Sequence, residues 1–253
     1  MLFVISPAKT LNYETHPFKS FSSPELVKDS QKLVRILKKK KYPELMKLMD
    51  ISEKLALENT ARFKNFSLPF TPENAKQAVL AFDGDVYDGL GANDFSEDDF
   101  DFAQAHLRIL SGLYGVLKPL DLMQPYRLEM GTVLENPNGS NLYKFWGDKI
   151  SKTLNKAAVD TDNKVIVNLA SNEYWSSVDL KKLKVPHLEI QFKEKKDELY
   201  KVISFNAKKA RGMMLRYAIK NRLEQPEQLK SFNLDNYNLN ESLSDDKVWV
   251  FTR

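Results

Sequence analysis

The chain opens Met1-Leu2-Phe3-Val4-Ile5-Ser6-Pro7-Ala8-Lys9-Thr10, and the reading of this stretch sets the fold class. A run of apolar residues closed by Ser6-Pro7 reads as a short buried strand. It has no basic region ahead of it and no cleavage site behind it, so it does not fit a secretory signal. The loop that leaves it carries Lys9 between the hydroxyls of Ser6 and Thr10. Such groups at a strand end can complete an anion site, or can form a plain strand exit. The glycines of a P-loop are missing, so a nucleoside triphosphate is a poor fit.

Further strands are expected at Val79–Phe82, Val165–Ala170 and Lys247–Thr252. His187–Phe192 and Leu199–Phe205 flank the polar turn Glu194-Lys195-Lys196-Asp197 and read as a hairpin. Between them fall helical patterns. Pro24 opens one whose apolar stripe is Leu26, Leu33, Val34 and Leu37, closed by Lys38–Lys41 and Pro43. Glu44–Met49 is a shorter one, and Ser52 caps another that runs to about Phe63. Thr71-Pro72-Glu73-Asn74 carries a helix-start signal. Ser96 and the acids after it begin a helix expected to run through His106 to about Leu110. Leu142–Ala157, Ala207–Leu223 and Pro226–Phe232 complete the set. Strands and helices interleave without regular βαβ units, and no repeat or linker interrupts them. The expectation is a mixed α/β (α+β) fold over residues 1–253, undivided or as two intimately packed lobes.

Composition narrows the chemistry. Of 253 residues, 42% are hydrophobic and 28% charged, an ordinary globular balance. There is no cysteine, which excludes disulfides, thiolate zinc sites, iron–sulfur clusters and a thiol nucleophile. His16, His106 and His187 are the whole histidine complement, so any tightly bound metal would depend on carboxylates, and neither a metal site nor a cofactor is assigned. No stretch approaches the roughly 18 apolar residues of a membrane span. The expected location is the cytoplasm.

The net charge of +4 conceals a polarity. From Lys181 to Arg222 there are 13 Lys and Arg against 4 Asp and Glu, whereas Asp83 to Asp101 holds 8 acids and no base. Such asymmetry fits a face built for anions, and equally a set of solvated surfaces.

Four segments are candidates for function. Leu107-Arg108-Ile109-Leu110-Ser111-Gly112-Leu113-Tyr114-Gly115-Val116-Leu117 has the form of a helix-hairpin-helix, in which Ser111, Gly112, Leu113 and Gly115 would bring backbone N–H groups to a phosphate. Lys118 and Arg127 flank it. Ser204-Phe205-Asn206-Ala207-Lys208-Lys209-Ala210-Arg211-Gly212 puts three cations at the start of a helix, the end where the dipole disfavours them unless an anion is near. Arg216 and Lys220 continue the basic stripe. Glu129, in Tyr126-Arg127-Leu128-Glu129-Met130-Gly131, and Glu173, in Asn172-Glu173-Tyr174-Trp175, are candidate acid–base residues if they line a cleft. Asp83-Gly84-Asp85-Val86-Tyr87-Asp88-Gly89 lacks the spacing of a calcium loop.

Taken together these segments resemble the bacterial YaaA family of peroxide-stress resistance proteins. The resemblance rests on Ile5–Leu11, Gly84–Tyr87, Phe100–Leu117, Pro119–Asp121, Gln124–Gly131, Phe145–Asp148, Asn168–Ser171 and Ala207–Gly212, and so runs over nearly the whole chain. It implies a cytosolic protein that protects cells from hydrogen peroxide by limiting free iron, with a distinctive α/β fold, a helix-hairpin-helix at Leu110–Val116 and a positively charged cleft at Lys9, Arg127, Lys208, Lys209 and Arg211. Asn206 and Asn172 stand where relatives can carry an aromatic residue and an aspartate. The function expected from residues and resemblance is binding of double-stranded or distorted DNA through phosphates, with an indirect link to iron. Two alternatives stand beside it: a glycosylase- or lyase-like enzyme using Glu129, Glu173, Lys9 or Lys208, and direct iron sequestration by the Asp83–Asp101 carboxylates.

Overall fold

A computed structural model of the chain describes residues 1–14, 19–162 and 164–253, so His16 lies outside the described residues. The centre is an eight-stranded sheet. Its strands are β1 (Leu2–Ile5), β2 (Leu107–Ser111), β3 (Gly115–Leu117), β4 (Ile166–Asn168), β5 (His187–Lys196), β6 (Leu199–Lys201), β7 (Asn238–Leu239) and β8 (Val248–Thr252). They lie in the order β7-β8-β5-β4-β1-β2-β3, with β6 paired to the far part of β5. The five strands β2, β1, β4, β5 and β8 are mutually parallel, while β3, β6 and β7 add antiparallel edges.

The opening stretch therefore forms the middle of the sheet. All four residues of β1 are fully buried, as a parallel strand covered on both faces must be. Numbered in chain order, the parallel strands run 2-1-3-4-5 across the sheet. In such an order the connections leave β1 toward one edge and β4 toward the other, and a crevice opens where they part.

The principal helices are α1 (Val27–Leu37), α2 (Tyr42–Met49), α3 (Glu53–Asn65), α4 (Asp85–Leu90), α5 (Glu97–His106), α6 (Leu142–Trp146), α7 (Lys149–Val159) and α8 (Ser204–Lys220). In α1, Leu33, Val34 and Leu37 are buried, as their spacing requires. Ser52 caps α3 by accepting from the Leu55 N–H. Ser96 and Asp99 close a reciprocal capping box on α5.

The structure corrects several expectations. The helix begun at Ser96 stops at His106, and the next five residues are β2, buried throughout. The segment is mostly apolar and its one charged residue, Arg108, is buried with the rest, so it carries no period that separates strand from helix. Leu107–Leu117 is consequently a β-hairpin inside the sheet, in place of the helix-hairpin-helix. Gly115 is needed there for its positive φ of 71°. Thr71–Asn74 forms a turn, because the Asn74 side chain accepts from the Thr71 N–H and donates to the Pro69 carbonyl. Val79–Phe82 is divided between a helical turn (Ala78–Ala81) and a two-residue strand (Phe82–Asp83) that pairs with Thr10–Leu11. Leu142–Ala157 breaks at Gly147 into α6 and α7, and α8 begins three residues before Ala207.

One close contact fixes the upper wall of the crevice. A Cβ on Gly212 of α8 would stand 1.9 Å from the Val86 carbonyl oxygen, and one on Gly89 of α4 would stand 2.2 Å from that of Lys209. The two helices touch backbone to backbone. Gly212→Ala is expected to push α8 off α4 and to cost roughly 2–4 kcal/mol, read as a lower midpoint in urea unfolding.

A candidate nucleotide-sized cleft at the sheet switch point

The crevice between β1 and β4 is a cleft of about 850 Å³, within the size range of small-ligand sites. Its floor is the loop leaving β1, Ser6 to Thr10, and the residues after β4, Ser171 to Tyr174. The Ser6 hydroxyl joins them: it accepts from the Ser171 N–H at 2.8 Å and lies 3.3 Å from the Ser171 hydroxyl. Asp83, Asp85 and Tyr87 come from the start of α4 and the residues before it, Glu189 and Gln191 from β5, and Lys208 and Arg211 from α8.

Charged groups meet there in pairs. Glu129 bridges Lys9 at 2.7 Å and Arg127 at 3.1 Å. Lys208 approaches Asp85 at 3.5 Å. Glu173 accepts from the Gly131 N–H at 2.8 Å, and its side chain lines the cleft together with Glu129. Gln191 donates to Glu189 at 2.7 Å. Among the described residues Arg127 and Arg211 each keep a buried Nε with no hydrogen-bond partner, but Arg127 is ion-paired to Glu129 and Arg211 has no such pair. Burial pulls its pKa below the usual arginine value and the Glu189 carboxylate acts in the opposite sense, yet a guanidinium keeps its charge in any protein setting. Tyr87 donates to the Ser6 carbonyl oxygen at 3.1 Å. Burial pushes the Tyr87 and Tyr174 phenols well above their ordinary value, so both serve as neutral hydroxyls.

Of the sequence-predicted residues, Lys9, Glu129, Glu173, Lys208 and Arg211 converge on this cleft, and Arg127 borders a small adjoining pocket with Lys9 and Glu129. The others do not line it. Ser111 is fully buried, accepting from the Tyr114 N–H and bonded to the Tyr126 hydroxyl at 2.6 Å. Gly112 packs against the Leu128 carbonyl, and its own carbonyl accepts from the Trp146 indole N–H. Leu113 and Gly115 are buried as well. Lys118 and Lys209 are exposed outside the lining. Nor is the cleft a basic trough: Asp83, Asp85, Glu129, Glu173 and Glu189 outnumber Lys9, Lys208 and Arg211 in its walls.

Arg216 and Lys220 serve the acidic segment. Arg216 forms a two-pronged pair with Asp94 and donates to the Leu90 and Gly91 carbonyls. Lys220 and Arg222 both bind Asp99, at 2.6 and 2.8 Å. Among the described residues, no group of three or more His, Asp or Glu side chains is placed to hold a metal ion.

Sequence reasoning passed over Ser171, Glu189 and Gln191. The last two had a legible signal, as polar residues alternating with Leu188, Ile190 and Phe192 along one strand.

The family model described as peroxide stress protein YaaA matches residues 1–243. The chain belongs to the YaaA family. It is 53% identical over 254 aligned residues to a UPF0246 protein of Hahella chejuensis, covering all of this chain and 99% of that relative. YaaA membership places it in the response to peroxide stress. Among the described residues, no helix is long and apolar enough to cross a membrane.

The Asp99 cluster carries a pH signature. Burial alone would raise this carboxyl, but hydrogen bonds from Lys220, the Ser96 backbone and Arg222 outweigh it and hold the group well below the carboxylate range. A lowered folded pKa stabilises above the unfolded value, near about 3.9, and that stability is lost as pH falls through the folded value. Asp99→Asn is expected to cost roughly 2 kcal/mol at neutral pH and to flatten the fall of the urea midpoint below about pH 4.

Proposed function

We propose that this chain acts in the peroxide stress response by holding distorted DNA, with one unpaired nucleotide lodged in the cleft. The observation that carries this reading is Arg211, a partly buried arginine in the cleft wall whose buried Nε lacks a partner among the described residues. A planar fork of donors matches a phosphate edge, and Lys208 stands on the same face of α8. A cleft of about 850 Å³ has room for a nucleotide and not for a duplex, so a base must leave the stack to enter. That step costs least where DNA is damaged or mismatched. The carboxylates and neutral tyrosines then face base edges while the cations face the backbone.

Binding of this kind falls steeply with salt, because neutralised phosphates release counterions. Fluorescence anisotropy on a duplex carrying an unpaired nucleotide is expected to show a loss of about tenfold or more between 50 and 200 mM salt. Arg211→Ala and Lys208→Glu should each weaken it about tenfold, independently of sequence. An affinity indifferent to salt and to Arg211→Ala would rule the reading out.

A second reading, enzymatic processing of the lodged nucleotide, is favoured by the juxtaposition of Lys9 and Glu129 at 2.7 Å beside Glu173. An amine and two carboxylates at one mouth supply the groups for acid–base or Schiff-base work. On that reading borohydride traps a covalent adduct with abasic DNA, and Lys9→Met or Lys208→Met abolishes it. Absence of an adduct with the native chain leaves binding alone.

A further inference from the structure

Beside the cleft lies a ribbon with an unusual surface. Beyond its pairing with β4 and β8, β5 continues to Lys196 and turns back as β6, which pairs with β5 alone. Within seven residues of this turn four large apolar side chains are open to solvent: Leu199 at 63%, Tyr200 at 39%, Val202 at 55% and Phe205 at 60%. A soluble chain seldom gathers such residues on a free edge without a use for them.

The strand geometry aligns them with the cleft. Side chains alternate along a strand, so the face of β5 that gives Glu189 and Gln191 to the cleft wall continues outward as Lys193 and Lys195. Tyr200 is the direct cross-strand partner of Lys195 and therefore stands on that same face. Val202, two residues further, lines the cleft itself. Three residues beyond Val202, Phe205 sits in the first turn of α8, three and four residues before Lys208 and Lys209, and residues so spaced are neighbours on a helix surface. An aromatic ring beside lysines thus recurs on the ribbon and at the start of α8, flanking Val202 of the cleft lining in the chain.

We infer that this ribbon and the first turn of α8 bind a single strand of nucleic acid, guiding it to the cleft with Tyr200 and Phe205 as stacking platforms. Rings interleaved with cations are the chemistry that holds single strands without regard to sequence: each ring takes a base face and the lysines follow the phosphates. A packed duplex offers no base faces to such rings. The inference rests on the nucleic-acid reading of the cleft and narrows it to strands that are unpaired on at least one side of the lodged nucleotide.

The test compares a fluorescein-labelled homothymidine strand with a blunt mixed-sequence duplex, using the full chain and anisotropy. Tyr200→Ala and Phe205→Ala are each expected to weaken the single strand about tenfold and the duplex less than about twofold. Tyr200→Trp should hold or tighten the single strand, and Lys195→Glu, an exposed change on the same face, should weaken it. Thermal unfolding of each variant controls for folding. If the Ala variants bind the single strand like the native chain while Arg211→Ala still weakens it, the ribbon has no such role and the cleft reading stands. Equal losses on strand and duplex would likewise overturn the stacking role. A native chain that does not bind the single strand overturns the inference, and one that also fails to bind the duplex carrying an unpaired nucleotide overturns the cleft reading.

Discussion

The chain leaves β1 toward one edge of the sheet and leaves β4 toward the other, and the gap this opens is the condition on which the rest depends. Neither loop alone would make a site. The Ser6 hydroxyl, accepting from the Ser171 N–H, ties two segments 165 residues apart in sequence at the point where the sheet connections part. Tyr87 anchors the third wall by donating to the Ser6 carbonyl oxygen. The fourth wall depends on Gly89 and Gly212, whose missing side chains let α8 lie directly on α4. Lys208 and Arg211 reach the cleft only because that approach is so close.

The charge polarity of the sequence resolves into two separate uses. In the second half of α8 and just beyond its end, Arg216, Lys220 and Arg222 are spent on Asp94 and Asp99, an intramolecular match that fastens α8 to α5 and to the turn before it. In the first half, Lys208 and Arg211 face the cleft. One basic helix therefore has a structural end and a chemical end. The division follows from the helix spanning the distance between the acidic segment and the switch point.

Within the cleft, opposite charges are poised against each other. Glu129 spans Lys9 and Arg127, and Asp85 faces Lys208, so an incoming polyanion must compete with resident carboxylates for most cations. Arg211 alone among the lining cations forms no ion pair within 4 Å among the described residues. This makes it the group with most to gain from a ligand, since a buried donor without a partner carries an uncompensated desolvation cost.

Much was legible in the residues themselves. The apolar block Leu2–Ile5, the stripe of α1 and the hydroxyl caps at Ser52 and Ser96 specify their elements through local spacing and capping, which need no distant partner. The identity of the chemical groups was legible too: Lys9, Glu129, Glu173, Lys208 and Arg211 are all marked by type and setting. Their convergence was not, and neither was the fate of Ser111–Gly115. Leu107–Leu110 is apolar except for Arg108, which is itself buried, so local sequence cannot say whether it coils or extends. Its pairing with β1 decides that, through hydrogen bonds to residues more than 100 positions away. Composition and local spacing settle which groups are available and which short elements their neighbours favour. Which cations face the cleft and which meet aspartate follows from long-range strand order and from the close seating of one helix on another, because both bring together residues far apart in the chain.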